Sequence, residues 1–264
     1  MSTSDARPRR HDAAVGRALE RLGIPRDGVL LVHSAFKTMV QEGHDARAVL
    51  DTFLDYMSPG TLMLPTMSWR YVKPAAPVFD ELRTPSNVGI LTELFRTEHA
   101  TRRSLHPTHS AAARGDLADD LLRFHHLDET PCSARSPFGL LVEYDGWVVM
   151  MGITMDCCTL IHHVEEMVAP DLYLRPAAER ETYTCRDRHG RDTRVFLRRH
   201  LFLPRDYFQV QDALAAGGRL RLARIDNTIC RGFRARDLVG FVTRLLRERP
   251  DAIIARPGQR YRMM

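Results

Sequence analysis

No apolar run in the 264 residues approaches the ~18 that a membrane-spanning helix needs. The opening segment, Met1 to Arg10, has no apolar core and so does not read as a secretory signal. It is expected as a disordered lead (1–10), with a single domain over 11–264. The five cysteines contain no CxxC pair, which argues against a structural zinc site. Their odd number, with Cys157 and Cys158 adjacent, suits a reducing compartment, the cytoplasm, better than a disulfide framework. Lysine is scarce, so arginine supplies nearly all of the basic charge behind the net +5. Those arginines are spread along the chain, with no basic stripe interleaved with aromatics, which argues against a nucleic-acid interface. An anionic ligand such as a phosphorylated cofactor remains compatible with the charge. Repeats and low-complexity tracts are also missing. What is present, 44% hydrophobic and 27% charged residues, is the make-up of a soluble globular protein able to bury a full core.

Helical spacing of apolar residues over 10–23 ends at Gly23, a plausible stop. The run Val29-Leu30-Leu31-Val32 reads as a buried strand. A second helix is predicted over 46–57, closed by Ser58-Pro59-Gly60, and a second strand over 61–65. Helix, strand, helix, strand is the signature of an α/β sheet with crossovers. The stretch 66–87 is irregular and proline-rich, 88–97 is helical, 102–113 reads as a polar loop, and 116–124 as a further helix. Beyond residue 180 the pattern changes. A hairpin is predicted around the Asp187-Arg188-His189-Gly190 turn, then a helix over 206–216, a strand over 219–225 and a helix over 233–246. The fold class is therefore α/β, a mixed sheet flanked by helices with a C-terminal antiparallel β extension.

Chemistry concentrates in 152–166. This polar stretch follows the apolar run Trp147-Val148-Val149-Met150-Met151, so it lies where a strand ends and a helix begins. On a helix His162 and Glu165 share one face, and a histidine beside a carboxylate serves as a general base. His163 and Glu166 have the same spacing one residue on. The residue types also suit a metal, but adjacent histidines point about 100° apart on a helix, and the spacing is not that of a metalloprotease. No catalytic metal is expected. Cys157 and Cys158 read as small core residues.

Five fragments in order resemble the aminoglycoside N3-acetyltransferase family, also called the antibiotic N-acetyltransferases. They are Val32-His33-Ser34-Ala35-Phe36; Gly60 to Thr66; Phe79-Asp80 with Thr84 to Gly89; Arg102 to Gly115, which contains Arg103-Ser104-Leu105-His106-Pro107; and Asp145-Gly146 with Gly152 and Thr159-Leu160-Ile161-His162-His163-Val164-Glu165. The resemblance implies a fold unlike that of the common small acetyltransferases. It also implies an enzyme that takes acetyl-CoA as cosubstrate and acetylates a primary amine. It assigns His162 as the base and Glu165 as its orienting partner. The motif register, fixed by Gly152 and Thr159, favours this pair over His163 and Glu166. His33, Ser34, Ala35, Phe36, Arg103, Ser104, His106 and Ser110 fall where coenzyme A would be held, with Lys37 and Arg102 as nearby positive charge. Ser34 could instead cap a helix, and His106 could simply hold its loop together.

Two departures stand out. Cys158 occupies a position where the family often has Asn, and the basic composition is unusual for a protein whose acceptor is a polycation. The acceptor is therefore either the 3-amino group of a 2-deoxystreptamine aminoglycoside or a different small-molecule amine from natural-product metabolism. A non-catalytic coenzyme A-binding relative is a third possibility. The sequence is silent on oligomeric state.

Overall fold

The structure is a computed structural model that describes residues 11–259 together with 262 and 263; the lead expected at 1–10 lies outside the described residues. Seven strands form the main sheet: β1 (Val29–Ser34), β2 (Thr61–Pro65), β3 (Arg102–Arg103), β4 (Ala111–Gly115), β5 (Trp147–Met151), β6 (Arg221–Ile225) and β7 (Thr228–Arg234). Their spatial order is β6-β7-β5-β1-β2-β4-β3. The central trio β5-β1-β2 is parallel, and both flanks are antiparallel. Every residue of β2 and β5 is buried. Strands covered on both faces read as continuous apolar runs, which is why these were visible in the sequence.

Alternate residues of each strand feed two cores. Val29, Leu31, Met63, Val148 and Met150 face one layer, and Leu30, Val32, Leu62, Leu64 and Val149 face the other. Helices α1 (Ala13–Leu22) and α2 (Ala46–Tyr56) cover the second layer. Helices α3 (Leu160–Val168) and α4 (Ala235–Glu248) pack against each other over the first. Capping fixes α1 as read: the Asp12 carboxylate accepts the N–H groups of Ala14 and Val15, and Gly23 ends the helix in the left-handed conformation.

Two expectations change. The segment 102–113 is not all loop, because β3 and β4 run antiparallel beside β2 within it. Three consecutive alanines have weak strand propensity, so β4 exists because β2 offers it an edge, with Pro65 opposite Ala111. The irregular stretch 66–87 contains the strand Val78–Asp80. This pairs in parallel with Glu181–Arg186, which forms a hairpin with Asp192–Leu197, making a separate three-stranded sheet. The antiparallel extension is thus two structures, this small sheet and the β6–β7 edge of the main one.

Because β1, β2 and β5 are parallel, their carboxyl ends emerge on one side. β1 is bordered by β2 on one flank and β5 on the other, the arrangement in which open α/β sheets form a ligand crevice. At its mouth Gly152 has φ +70°, and a Cβ there would lie 2.7 Å from the Ala35 carbonyl. Only glycine allows the β5 turn to press this closely on the end of β1.

His44 ties three segments together. Its Nδ1 lies 2.5 Å from Asp12 and its Nε2 lies 3.0 Å from Asp226 in the β6–β7 turn. Burial disfavours the charged ring, but the two carboxylates outweigh it and raise the pKa. A raised histidine pKa gives stability that is fully present below the unfolded value, ~6.5, and is lost as pH rises through the folded one. The melting temperature of His44→Ala should therefore fall further below wild type at pH 5.5 than at pH 9. An equal deficit at both pH values would show that the ion pairs contribute nothing.

Candidate active site

Helix α3 places the functional side chains. From Leu160 to Glu166 every residue is buried, so its histidines and glutamates cannot rely on water for solvation. Pro170 ends the helix, since the ring cannot continue the ladder.

His162 Nδ1 lies 2.7 Å from Glu165 Oε2, the pairing expected from the spacing. Glu165 is fully buried and receives two further groups. Arg205 donates from Nε to Oε1 at 2.8 Å and from Nη2 to Oε2 at 3.2 Å, and the Tyr207 hydroxyl donates to Oε1 at 2.6 Å. Burial alone would raise the Glu165 pKa, but His162 and then Arg205 outweigh it and bring it down to about 2. The carboxylate is therefore ionised at any working pH. With Nδ1–H directed at Glu165, Nε2 of His162 is left as the basic nitrogen. The same carboxylate pushes the Tyr207 hydroxyl, already disfavoured from ionising by burial, well above its ordinary range.

His163 and Glu166 do not form the alternative pair. His163 Nδ1 meets the Cys132 carbonyl at 2.8 Å, and Glu166 accepts the Cys132 N–H at 2.8 and 3.0 Å. Glu166 instead approaches His200, Oε1 to Nε2 at 2.7 Å, a short contact bent away from hydrogen-bond alignment. Burial pushes the Glu166 carboxyl up to about 8, offset only in part by Thr130 and the Cys132 N–H. The His200 ring stacks on His162 with centroids 4.3 Å apart and planes inclined by 24°. His109 stands edge-on to His200 at 5.6 Å.

Clusters of His162, Glu165 and His200, and of Cys132, Glu166 and His200, bring metal-type donors within 4.8 Å of one another. In a tetrahedral site with bonds of about 2.0 Å, neighbouring O and N donors stand about 3.3 Å apart. The 2.7 Å separations in both clusters are too short for that, and the His162–Glu165 contact is a hydrogen bond.

The residues expected to hold coenzyme A divide into two groups. His33, Ser34 and Ala35 lie at the crevice, where β1 ends beside β5. His33 is buried, burial lowers its pKa to about 4, and its Nε2 has no hydrogen-bond partner among the described residues. Ser34 and Ala35 are half-buried. Ser34 does not cap the following helix Lys37–Gln41, whose N-cap position is Phe36. Phe36 itself is buried in the second core layer.

Arg103, Ser104, His106 and Ser110 form an internal scaffold. Arg103 is buried and donates to the carbonyls of Thr66, Glu81 and Thr84 and to the hydroxyls of Thr66 and Ser110, with its guanidinium 4.7 Å from the Phe79 ring centre. Each guanidinium nitrogen is thus occupied within the protein, which departs from the phosphate contact expected of it. Ser104 bridges His125 and the Ala111 N–H. His106 is fully buried; its Nδ1 accepts the His109 N–H at 2.9 Å, and it stacks on His125 at 4.3 Å. Ser110 donates to the Thr66 carbonyl at 2.7 Å. Arg102 pairs with Asp119 at 3.0 Å. Cys158 is buried in the first core layer, its thiol pushed up to about 12, so it stands beside Thr159 as an inert core residue.

Sequence spacing did not reveal Arg205, Tyr207 or His200. They sit 34 to 45 residues after α3's polar positions and reach it only through the fold. A carboxylate that stays ionised when buried does require a cationic partner, but with so many arginines the sequence could not say which one.

Comparison with known proteins matches this geometry to a family. The profile of the aminoglycoside 3-N-acetyltransferase family matches residues 31–247. Aminoglycoside N(3)-acetyltransferase IV from Salmonella sp is 31% identical over 154 residues, covering 58% of this chain and 57% of that protein. The chain's matches span about three fifths of the length of such curated relatives. Among solved structures, a variant of the aminoglycoside acetyltransferase AAC(3)-IVa in complex with a gentamicin superposes with a TM-score of 0.77 at 23% identity, covering 96% of this chain and 95% of the other. AAC-IIIb in a binary complex with CoASH gives 0.76 at 21%, covering 96% and 100%. These identities establish a shared fold, and by the profile match over most of its length the chain belongs to the aminoglycoside 3-N-acetyltransferase family.

Proposed function

We propose that this chain is an acetyltransferase that moves the acetyl group of acetyl-CoA directly onto a primary amine, with His162 as general base. The observation that carries this reading is the buried network in which Glu165, fixed by Arg205 and Tyr207, holds Nδ1 of His162. As the amine nitrogen attacks the thioester carbonyl carbon, its N–H proton passes to Nε2 of His162. The tetrahedral centre then collapses, the C–S bond breaks, and that proton moves to the coenzyme A sulfur. Glu165 stabilises the transient imidazolium, as the carboxylate does in a Ser-His-Asp triad. Acetyl-CoA as donor is supported by the relative with CoASH bound and by the crevice at the end of β1, where the unpartnered His33 Nε2 offers a polar contact.

The acceptor we propose is an aminoglycoside, acetylated on the 3-amino group of 2-deoxystreptamine, in keeping with the relative holding a gentamicin. One observation favours a second reading, a neutral or anionic amine of natural-product metabolism. Glu165 is engaged by Arg205, and other glutamates of the neighbouring sequence are paired too: Glu181 with Arg199 at 3.8 Å, Glu179 with Arg175 at 3.9 Å and Glu129 with Arg180 at 2.9 Å. Loop 66–87 adds a cavity of about 440 Å³ lined by Tyr71, Val72, Pro77 and Val78 with Arg83, and no carboxylate lines it. A polycation would find few free negative charges here. The five free thiols fit a cytoplasmic setting, and no described helix is long and apolar enough to cross a membrane.

His162→Ala should lower kcat by ~10²-fold or more while leaving acetyl-CoA affinity by calorimetry within about threefold of wild type. Turnover near the wild-type rate would rule out His162 as the base. Thiol release from acetyl-CoA should be seen with gentamicin- and kanamycin-type acceptors. Silence on every aminoglycoside alongside turnover of another amine would assign the second reading. Coenzyme binding without turnover of any amine would point to the non-catalytic relative.

A further inference from the structure

Two adjacent glutamates on α3 each meet a histidine, and the two histidine rings lie face to face. Glu165 holds His162, Glu166 approaches His200, and both contacts are 2.7 Å. The rings stack at 4.3 Å, so one imidazole–carboxylate pair lies upon the other. The mechanism above uses only the first pair.

The electrostatic settings of the two pairs are opposite. Glu165 has the Arg205 guanidinium against it. Glu166 faces His200, the Cys132 N–H, Thr130, and the His162 and His163 rings of its own helix, with the buried Asp128 carboxyl also acting on Cys132 and on Glu166's surroundings; no arginine or lysine pairs with it among the described residues. Burial places its carboxyl at about 8, so at neutral pH it carries a proton. His200 faces His162 and Glu165 on α3, Arg205 and Arg199 on its own segment, and His109 on the loop before β4. Burial and then the neighbouring His162 hold its pKa well below the usual range, so its ring is neutral.

During acetyl transfer, on the reading of His162 as base, that ring becomes transiently cationic. Its edge is served by Glu165. Its face lies on His200, and a second positive charge at stacking distance would oppose the proton transfer. An uncharged aromatic face favours a cation instead.

We propose that His200 is a positioning residue of the acetyl-transfer site: its buried, uncharged ring, with the Glu166 carboxyl against its edge, is the surface on which the His162 imidazole is held and takes up its proton. His200 then acts through His162 rather than on the acceptor. The pair also introduces a second ionisation into the site, distinct from that of the base.

The test is the pH dependence of kcat and kcat/KM from pH 5.5 to 9.5 for wild type, His200→Ala, His200→Phe and Glu166→Gln, with folding checked by circular dichroism. Glu166→Gln keeps the shape of the side chain and removes its ionisation, so it should keep kcat at pH 7 within about threefold and lose the inflection expected near pH 8 in wild type. His200→Ala should lower kcat about tenfold, shift the acid limb and leave KM for acetyl-CoA little changed. His200→Phe, which restores an uncharged stacked face, should recover most of that loss. If His200→Ala does not fold, the other two variants decide. Profiles that superimpose on wild type in shape, or a Phe variant as slow as the Ala variant with the limbs unmoved, would overturn the proposal and leave a packing role. Failure of the base assignment itself is read separately, from turnover retained in His162→Ala.

Discussion

The site depends on how one buried negative charge is neutralised. Glu165 has no exposed surface, so its ionised form survives only because Arg205, itself almost wholly buried, supplies a guanidinium at hydrogen-bonding distance. Removing one partner from such a pair typically costs about 3–5 kcal/mol, because the other charge is stranded. Arg205 has further tasks. Its Nη1 donates to the carbonyls of Leu201 and Leu203, closing the turn that carries His200, and Tyr207 reaches the same carboxylate two residues later. The short strand Pro204–Arg205 is held by pairing with Arg262–Met263. A segment remote in sequence thus completes the polar network of α3, and the carboxylate it fixes in turn orients His162.

The architecture explains where the buried polar cluster lies. The three parallel strands end on one side, and the chain leaving β5 turns at Gly152 against Ala35 before it enters α3. One wall of the crevice and the His162–Glu165 pair therefore come from consecutive pieces of chain after the same strand. The adjacent residues of α3 are divided by direction. His162 and Glu165 look toward the segment carrying Arg205, whereas His163 and Glu166 grip the Cys132 backbone. One buried helix holds two sets of polar contacts, because successive residues point about 100° apart.

Local patterns carried much of this into the sequence. The buried strands were legible as apolar runs, α1 by its Gly23 stop, and the His162–Glu165 pair by its helical spacing. What was missed depends on distance along the chain. β4 is a run of alanines that becomes a strand only beside β2, and β7 was hidden because its burial follows from pairing with β5. Arg205, Tyr207 and His200 have no periodic relation to α3. The match of Arg103, Ser104, His106 and Ser110 to a family motif marked them as important, but could not say whether they face a ligand or hold the protein together. Burial assigns them to the scaffold: a guanidinium ringed by carbonyls has little left to offer a phosphate.

That guanidinium has an evolutionary consequence. Arg103 grips the 66–84 stretch chiefly through the main-chain oxygens of Thr66, Glu81 and Thr84, with the Thr66 hydroxyl and the Phe79 ring as the side chains it meets there. Main-chain oxygens persist through any substitution. The side chains between these anchor points can therefore vary while the loop's path over the protein stays fixed.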